Sequence, residues 1–463
     1  MTPESGDAVT LPAGETVEST EESEAGVGYG ALLRSRPFLL IWAAQLLSQS
    51  AQNVVNYALV VEVERLTQSS ANVGGVVVAF SLPVLLLGPS AGVFVDRVGK
   101  RGVLLWTNLL RGLLMVAYLS APRSLLTIYG VTLLASVISQ FFGPAEGAIL
   151  PQLVKRRALI AATSLFNLTF TGAQIAGFIL IGPTLYKLLG SASLFITVVV
   201  MYALASLSVA LLPREETVTG SVRSAVSRAL QLRLVWGDMR EARLFLRNTP
   251  GITQAMIHLA LASALLMTLA TLGPGFVARV LGLGPEDAGY ILAPAGLGMI
   301  VTTGLIGQYA VKADRVKLAC YGLLAMGTSL AALALVRPVF EYFETELARG
   351  GPGAIPAVQT LGYLGLVCLV TFSLGVEFSF VTIPAQTMIS EATAPHLRGR
   401  VFALLFMITG SVSTIPAIVI GALADSVGII PMLLSLAGIV ALAGVWGLVG
   451  RTRSPGGTDR RRR

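Results

Sequence analysis

The chain has 463 residues, of which 54% are apolar and only 13% charged, with a formal net charge of +8. No single water-soluble core could bury that much apolar surface, which excludes a soluble globule. The basic residues fall in short clusters between apolar stretches, which excludes the contiguous basic face of a nucleic-acid-binding protein. From the N-terminus, the first 24 residues carry seven acids (Glu4, Asp7, Glu15, Glu18, Glu21, Glu22 and Glu24) and neither a base nor an apolar run. No signal peptide is expected there, and residues 1–33 read as a disordered acidic cytosolic tail. Beyond the tail, uncharged gaps of 30 residues (Arg65 to Asp96) and 29 residues (Arg157 to Lys187) are followed by others of similar length. A bilayer-spanning helix needs about 20 apolar residues. The windows predict twelve spans: 38–63, 73–95, 102–120, 125–147, 159–186, 191–213, 252–276, 287–310, 317–336, 359–386, 401–424 and 429–449. An all-α integral membrane protein is therefore expected.

The longest connection, 214–249, divides the spans six and six, so that 34–213 and 250–450 read as two six-helix halves, with 451–463 as a basic cytosolic tail. In the connection, Val226, Leu230, Leu234, Val235, Met239, Ala242 and Leu246 recur at helical spacing among arginines, the pattern of an amphipathic linker on the inner leaflet. A solvated basic linker is the alternative. Alternate sides of the spans hold 26 and 6 basic residues, and the richer side, which includes both termini, is expected to be cytosolic. Arg111 alone among the basic residues lies inside the membrane, in the third span, where pairing with a carbonyl or with an acid of the second or fourth span is expected. Cys320 and Cys368 fall near opposite faces, so no disulfide is expected.

Several polar groups stand out. In the first span Gln45, Gln49, Gln52 and Asn56 are spaced 4, 3 and 4 apart, which places four amides on one helix face that lipid cannot satisfy. They either face water and substrate or hydrogen-bond between helices. Glu62 and Glu64, at the outer end of the same span, read as solvated. His258 in the seventh span and Glu377 in the tenth lie at similar depth, and an ionised carboxylate there costs on the order of 3 kcal/mol. The two could share a proton, although a lone histidine and a substrate-binding acid are the alternatives. No Gly-x-x-x-x-Gly-Lys-Ser/Thr loop, metal-ligand spacing or nucleophile arrangement is present, so neither ATP hydrolysis, a cofactor nor an enzymatic reaction is expected.

Residues 92–101 read Gly-Val-Phe-Val-Asp-Arg-Val-Gly-Lys-Arg, and this turn resembles the signature loop of the major facilitator superfamily. Residues 142–154, Gly182-Pro183, residues 397–401 and Gly421-Ala-Leu-Ala-Asp425 resemble its drug-export branch, which includes macrolide-efflux and enterobactin-export proteins. The resemblance, over residues 34 to 450, implies two pseudo-symmetric halves and a central cavity lined by helices 1, 4, 7 and 10. It implies that Gly92, Asp96, Arg97, Gly99, Lys100 and Arg101 gate the conformational change. Asp96 would engage the N-terminus of helix 11 in the outward-open state, or else pair with Arg97 or Arg101 in its own turn. Gly182 and Pro183 would be a helix-packing motif. Gln52 stands where relatives often carry Asp, and the helix 4 arginine of many proton-coupled exporters is missing. The expected function is export of amphipathic or lipophilic small molecules by alternating access, with proton antiport. The expected partners are the substrate, a coupling cation and the bilayer, and the expected state is a monomer in the cell membrane. An importer, a lipid flippase, or a non-transporting sensor or scaffold is the alternative.

Overall fold

The computed structural model describes residues 29–154, 158–213, 250–309, 314–349, 356–393 and 395–452. Those residues fold into helices: α1 (Tyr29–Leu32), α2 (Arg36–Thr67), α3 (Ser70–Val98), α4 (Lys100–Ser120), α5 (Leu125–Ser139), α6 (Phe142–Leu153), α7 (Leu159–Ile175) and α8 (Gly182–Ala210) precede the connection. After it come α9 (Pro250–Gly275), α10 (Ala288–Tyr309), α11 (Arg315–Arg349), α12 (Pro356–Ala392), α13 (Pro395–Val427) and α14 (Ile429–Thr452). The connection 214–249, with its expected amphipathic helix, lies outside the described residues, as do residues 1–28 and 453–463.

Eight helical stretches among the described residues are long and apolar enough to cross a membrane. One of them, Ala161–Ala210, has 50 residues and covers two crossings. It breaks at Gly190, whose φ of 75° and ψ of 172° lie where an L side chain is strained. With α2, α3 and α10, which are 32, 29 and 22 residues long, the crossings number twelve, six in each half. The fourth crossing is built from α5 and α6 together, and the fifth from α7, a π-helical turn at Ala176–Ile181 and the start of α8.

Helix boundaries depart from the apolar windows where charge and helix coexist. The ninth span was expected to end at 336, yet α11 continues to Arg349, with Arg337 donating to Glu341 one turn on. Charge gaps mark the part of a helix in hydrocarbon, whereas hydrogen bonding continues the helix into water. The expected disordered tail likewise ends early, because α1 occupies its last residues and Leu32 is buried against the N-terminal half.

Each half has its own apolar interior. Tyr57, Leu59, Met115, Phe195 and Tyr202 fill one part of the N-terminal half, and Leu323, Met326, Leu330 and Leu433 one part of the C-terminal half. Large apolar side chains also point outward, among them Trp106, Leu126, Leu188, Leu442 and Trp446. In water such a surface would aggregate, and in a bilayer it is the solvated face. The halves meet chiefly where α3 lies along α13, and also where α3 meets α9 and where the Ala176–Ile181 turn meets α10. Because α3 starts where α2 ends while α13 ends beside that same point, α3 and α13 run antiparallel.

Candidate functional site: a polar clasp between two halves

At the membrane end where α2 stops and α3 begins, the halves are tied together by polar contacts. Asp425, at the end of α13, accepts hydrogen bonds from the Ser69 hydroxyl at 2.6 Å and from the backbone amides of Ser70 and Ala71 at 2.8 and 3.0 Å. Those amides belong to the first turn of α3, where backbone donors have no partner within the helix and the helix dipole favours an anion. Arg279, in the π-helical turn Phe276–Val280 after α9, bonds Asp425 at 3.1 Å and reaches Glu64 of α2 at 3.4 Å; it also donates to the Ser70 hydroxyl. Arg65 pairs with Glu286 and Lys187 with Asp287, both at 2.7 Å. Tyr57 donates to the Glu286 carbonyl, and Thr184 and Tyr290 bond at 2.9 Å.

Close backbone approach makes the clasp possible. A Cβ on Gly421, one turn before Asp425, would strike the Ser70 carbonyl, and one on Gly74 would lie 2.7 Å from the Ala417 carbonyl oxygen. The hydrogen bonds and ion pairs named here between the halves all lie at this end. It is the end opposite Arg36, where α2 starts, and Thr452, where α14 ends.

The expectation that Glu62 and Glu64 are solvated is incorrect. They are 5% and 2% exposed; Glu62 accepts from Tyr118, and Glu64 faces Arg279. Arg111 is 2% exposed and takes no acid as partner. It donates to Ser48 at 2.8 Å, Asn108 at 2.9 Å and the Thr107 carbonyl at 3.2 Å, and its guanidinium stacks on Phe142 and Tyr202.

The four amides of α2 separate into two environments. Gln45 is buried and donates to the Phe166 carbonyl of α7 at 3.1 Å. Gln52 accepts from Ser139 of α5 at 2.8 Å and Tyr202 of α8 at 3.3 Å, and donates to Asn56 at 3.0 Å. These bonds remain within the N-terminal half, the geometry of interhelical hydrogen bonding, while Gln49 and Asn56 are half-buried.

Glu377 and His258 are not brought together. The Glu377 carboxylate accepts from Ser329 of α11 at 2.7 Å, and its other oxygen is buried without a partner. The His258 ring is 2% exposed and lies beside Gly447 of α14, with Nε2 unpartnered. No hydrogen bond or ion pair joins the two.

In the 92–101 turn, Gly99 takes φ 87° and redirects α3 into α4, and Arg101 donates to the carbonyls of Val209 and Ala210 at 3.3 and 2.6 Å. The side chains of Asp96 and Arg97 lie outside the described residues. Gly182 packs on Tyr57, where a Cβ would come within 2.7 Å of the ring, and Pro183 packs against Gly289 of α10. Sequence reasoning missed Asp425 as a helix cap, Arg279 as its cation and Glu146 as a buried acid. The equal spacing of Gly92 to Asp96 and Gly421 to Asp425 was the available signal for the first.

Comparison with known proteins follows the same lines. A family model described as Major Facilitator Superfamily matches residues 41–345. The chain is 22% identical over 376 residues to an uncharacterized MFS-type transporter, YfiS, of Bacillus subtilis, covering 81% of this chain and 83% of that one. It is 23% identical over 402 residues to macrolide efflux protein A of Streptococcus pyogenes, covering 85% and 90% of the two chains. Among solved structures, the nucleoside transporter NupG superposes with a TM-score of 0.67 at 12% identity, over 90% of this chain and 100% of that one. An inward-facing, occupied bacterial homologue of the human lysosomal transporter Spinster gives 0.67 at 13% identity, over 91% and 99%.

Proposed function

The chain belongs to the major facilitator superfamily, and on that premise we propose that it exports amphipathic or lipophilic small molecules across the cell membrane by alternating access, in exchange for protons. The observation that carries this reading is the polar clasp between the halves at this end. Two separately packed halves whose polar contacts gather at one end can rock about their shared seam, and breaking those contacts opens that end. The distribution of basic residues supports cytosolic termini, in which case the clasped end faces outward and is closed in this structure. The similarity to a macrolide efflux protein supports a lipophilic cargo moving outward.

In this reading the turn carrying Gly92, Asp96, Arg97, Gly99, Lys100 and Arg101 holds the opposite state, with Asp96 against the N-terminus of α13. Gln49 and Asn56 line the substrate path, while Gln45 and Gln52 hold α2 to its neighbours. Glu377 carries a coupling proton. His258, held away from it here, meets it only after the C-terminal half rearranges. The test is purified protein in liposomes with an imposed pH gradient and a panel of lipophilic cations, macrolides and siderophores. Gradient-dependent flux outward with respect to the termini supports the reading. Flux of lipid or inward uptake would replace exporter with flippase or importer, and absence of any flux would favour a sensor.

A further inference from the structure

The N-terminal half contains two buried groups that the clasp does not use. Glu146 of α6 is 7% exposed, and its Oε1 has no hydrogen-bond partner. Arg111 of α4 lies with its guanidinium 4.9 Å from the ring centres of both Phe142 and Tyr202. Phe142 stands one helical turn before Glu146 on the same face of α6, so the ring covering the cation adjoins the acid. The two nevertheless form no ion pair in this structure. All of Arg111's recorded hydrogen bonds go to neutral oxygens of Ser48, Asn108 and Thr107.

That arrangement suits a neutral acid. An ionised Glu146 held here would be a buried charge lacking a donor, which is costly unless a cation moves to it. Among the described side chains of the neighbouring helices, Arg111 is the cation set beside it; Lys100 and Arg101 stand at the start of α4, about three turns before Arg111, where Arg101 bonds the carbonyls of Val209 and Ala210. Between Pro37 and Val61, α2 has no charged side chain, nor do α5 and α7; α8 contributes the hydroxyl of Tyr202, and α3 brings Asp96 and Arg97, whose side chains are outside the described residues. We infer that Glu146 is a proton-binding site, with Arg111 as the cation that competes with the proton for the carboxylate. When the proton is bound, Arg111 lies on the two rings. When it leaves to water, the guanidinium is drawn from Ser48 and Tyr202 onto the carboxylate, because an opposite charge favours the ionised form.

The consequence reaches α2. Tyr202 bonds Gln52, and Gln52 bonds Ser139 and Asn56, so moving Arg111 off Tyr202 reorients the amides at the proposed substrate path. Coupling of this site to substrate rests on the transport reading; proton binding itself does not.

The test is infrared difference spectroscopy of the purified full-length chain across a pH series, comparing wild type with E146Q. The wild type is expected to show a protonated-carboxyl component, beside that of Glu377, that E146Q lacks, that E146D restores at a shifted frequency, and that fades as pH is raised. In R111M the half-loss is expected to move about one pH unit higher, a tenfold gain in proton affinity, while R111K stays near wild type. The inference is overturned if E146Q retains the whole band, if the Glu146 component does not change with pH, or if R111M and wild type coincide. A merely structural acid would give one of those last two results. If the same preparation moves no solute in liposomes, the transport reading fails while the spectroscopic answer stands.

Discussion

Asp425 of α13 accepts the backbone amide of Ser70 at 2.8 Å, and so caps α3 from the opposite half of the molecule. Helix caps normally come from the residue preceding the helix. Here Ser69 fills that place and bonds Asn72, while Asp425 takes the other free donors of the first turn. If the halves move as proposed, a cap supplied across their boundary stabilises α3 in only one of their arrangements, which makes it a conformational contact.

D425N keeps the shape of the side chain and removes its charge. Charge-assisted hydrogen bonds exceed neutral ones by roughly 1–1.5 kcal/mol, so the clasped state is expected to lose about tenfold in population. Thiol labelling of a single cysteine at Asn56, in a chain with Cys320 and Cys368 replaced by Ser, reads this directly. Labelling from the clasped face should rise; D96N should lower it, and the double variant should return towards the parent. Identical labelling in D425N and parent would remove the clasp from the mechanism.

G421V acts through sterics. Any Cβ at this position meets the Ser70 carbonyl, so α3 and α13 cannot close at this end without displacement. Because α13 remains a continuous helix, the variant should express and purify normally but turn over at least about tenfold more slowly. Normal flux together with normal labelling would show that the seam tolerates a wider separation.

Y118F tests the burial of Glu62. Tyr118 is its recorded donor, and removing that hydroxyl leaves a buried carboxylate oxygen unsatisfied, at a cost of about 1–3 kcal/mol. Thermal unfolding in detergent should show the loss. Adding E62Q should produce less than the sum of the two single effects, since the groups act as a pair. Strict additivity would mean that Glu62 finds another partner or is reached by water.

E377Q mimics a permanently protonated acid while keeping an acceptor for Ser329. Efflux driven by a pH gradient should stop, whereas substrate exchange at equal pH should survive, because exchange needs no net proton release. Gradient-driven efflux at parental rates would leave the proton with Glu146 alone.

The membrane crossings were legible because a bilayer imposes a long uncharged run on each helix. The division into halves was legible for the same reason, since the one long polar connection, 214–249, interrupts those runs. What stayed hidden concerns which helix ends become neighbours. Glu64, near the terminus of a span, looks solvated unless Arg279, 215 residues later, is known to stand against it. Gln52 similarly lies on the same amide stripe as Asn56, and periodicity alone does not reveal that Ser139 and Tyr202 occupy its carbonyl. The break at Gly190 lay between two predicted spans, but the π-helical turn before Gly182 gave no sign, because one extra residue per turn does not alter an entirely apolar pattern.

The antiparallel pairing of α3 with α13 also bears on how well the membrane stays sealed. With the clasp around Asp425 at one end of the seam and the proposed Asp96 contact at the other, the arrangement with both released lacks the polar compensation across the boundary that either closed form has. If each contact stabilises its own state by about 2 kcal/mol, that doubly released form is roughly thirtyfold rarer than either closed form. A passage open to both sides at once would let ions run down their gradients. In the proposed mechanism the two carboxylates thus set the electrical tightness of the protein as well as its direction of opening.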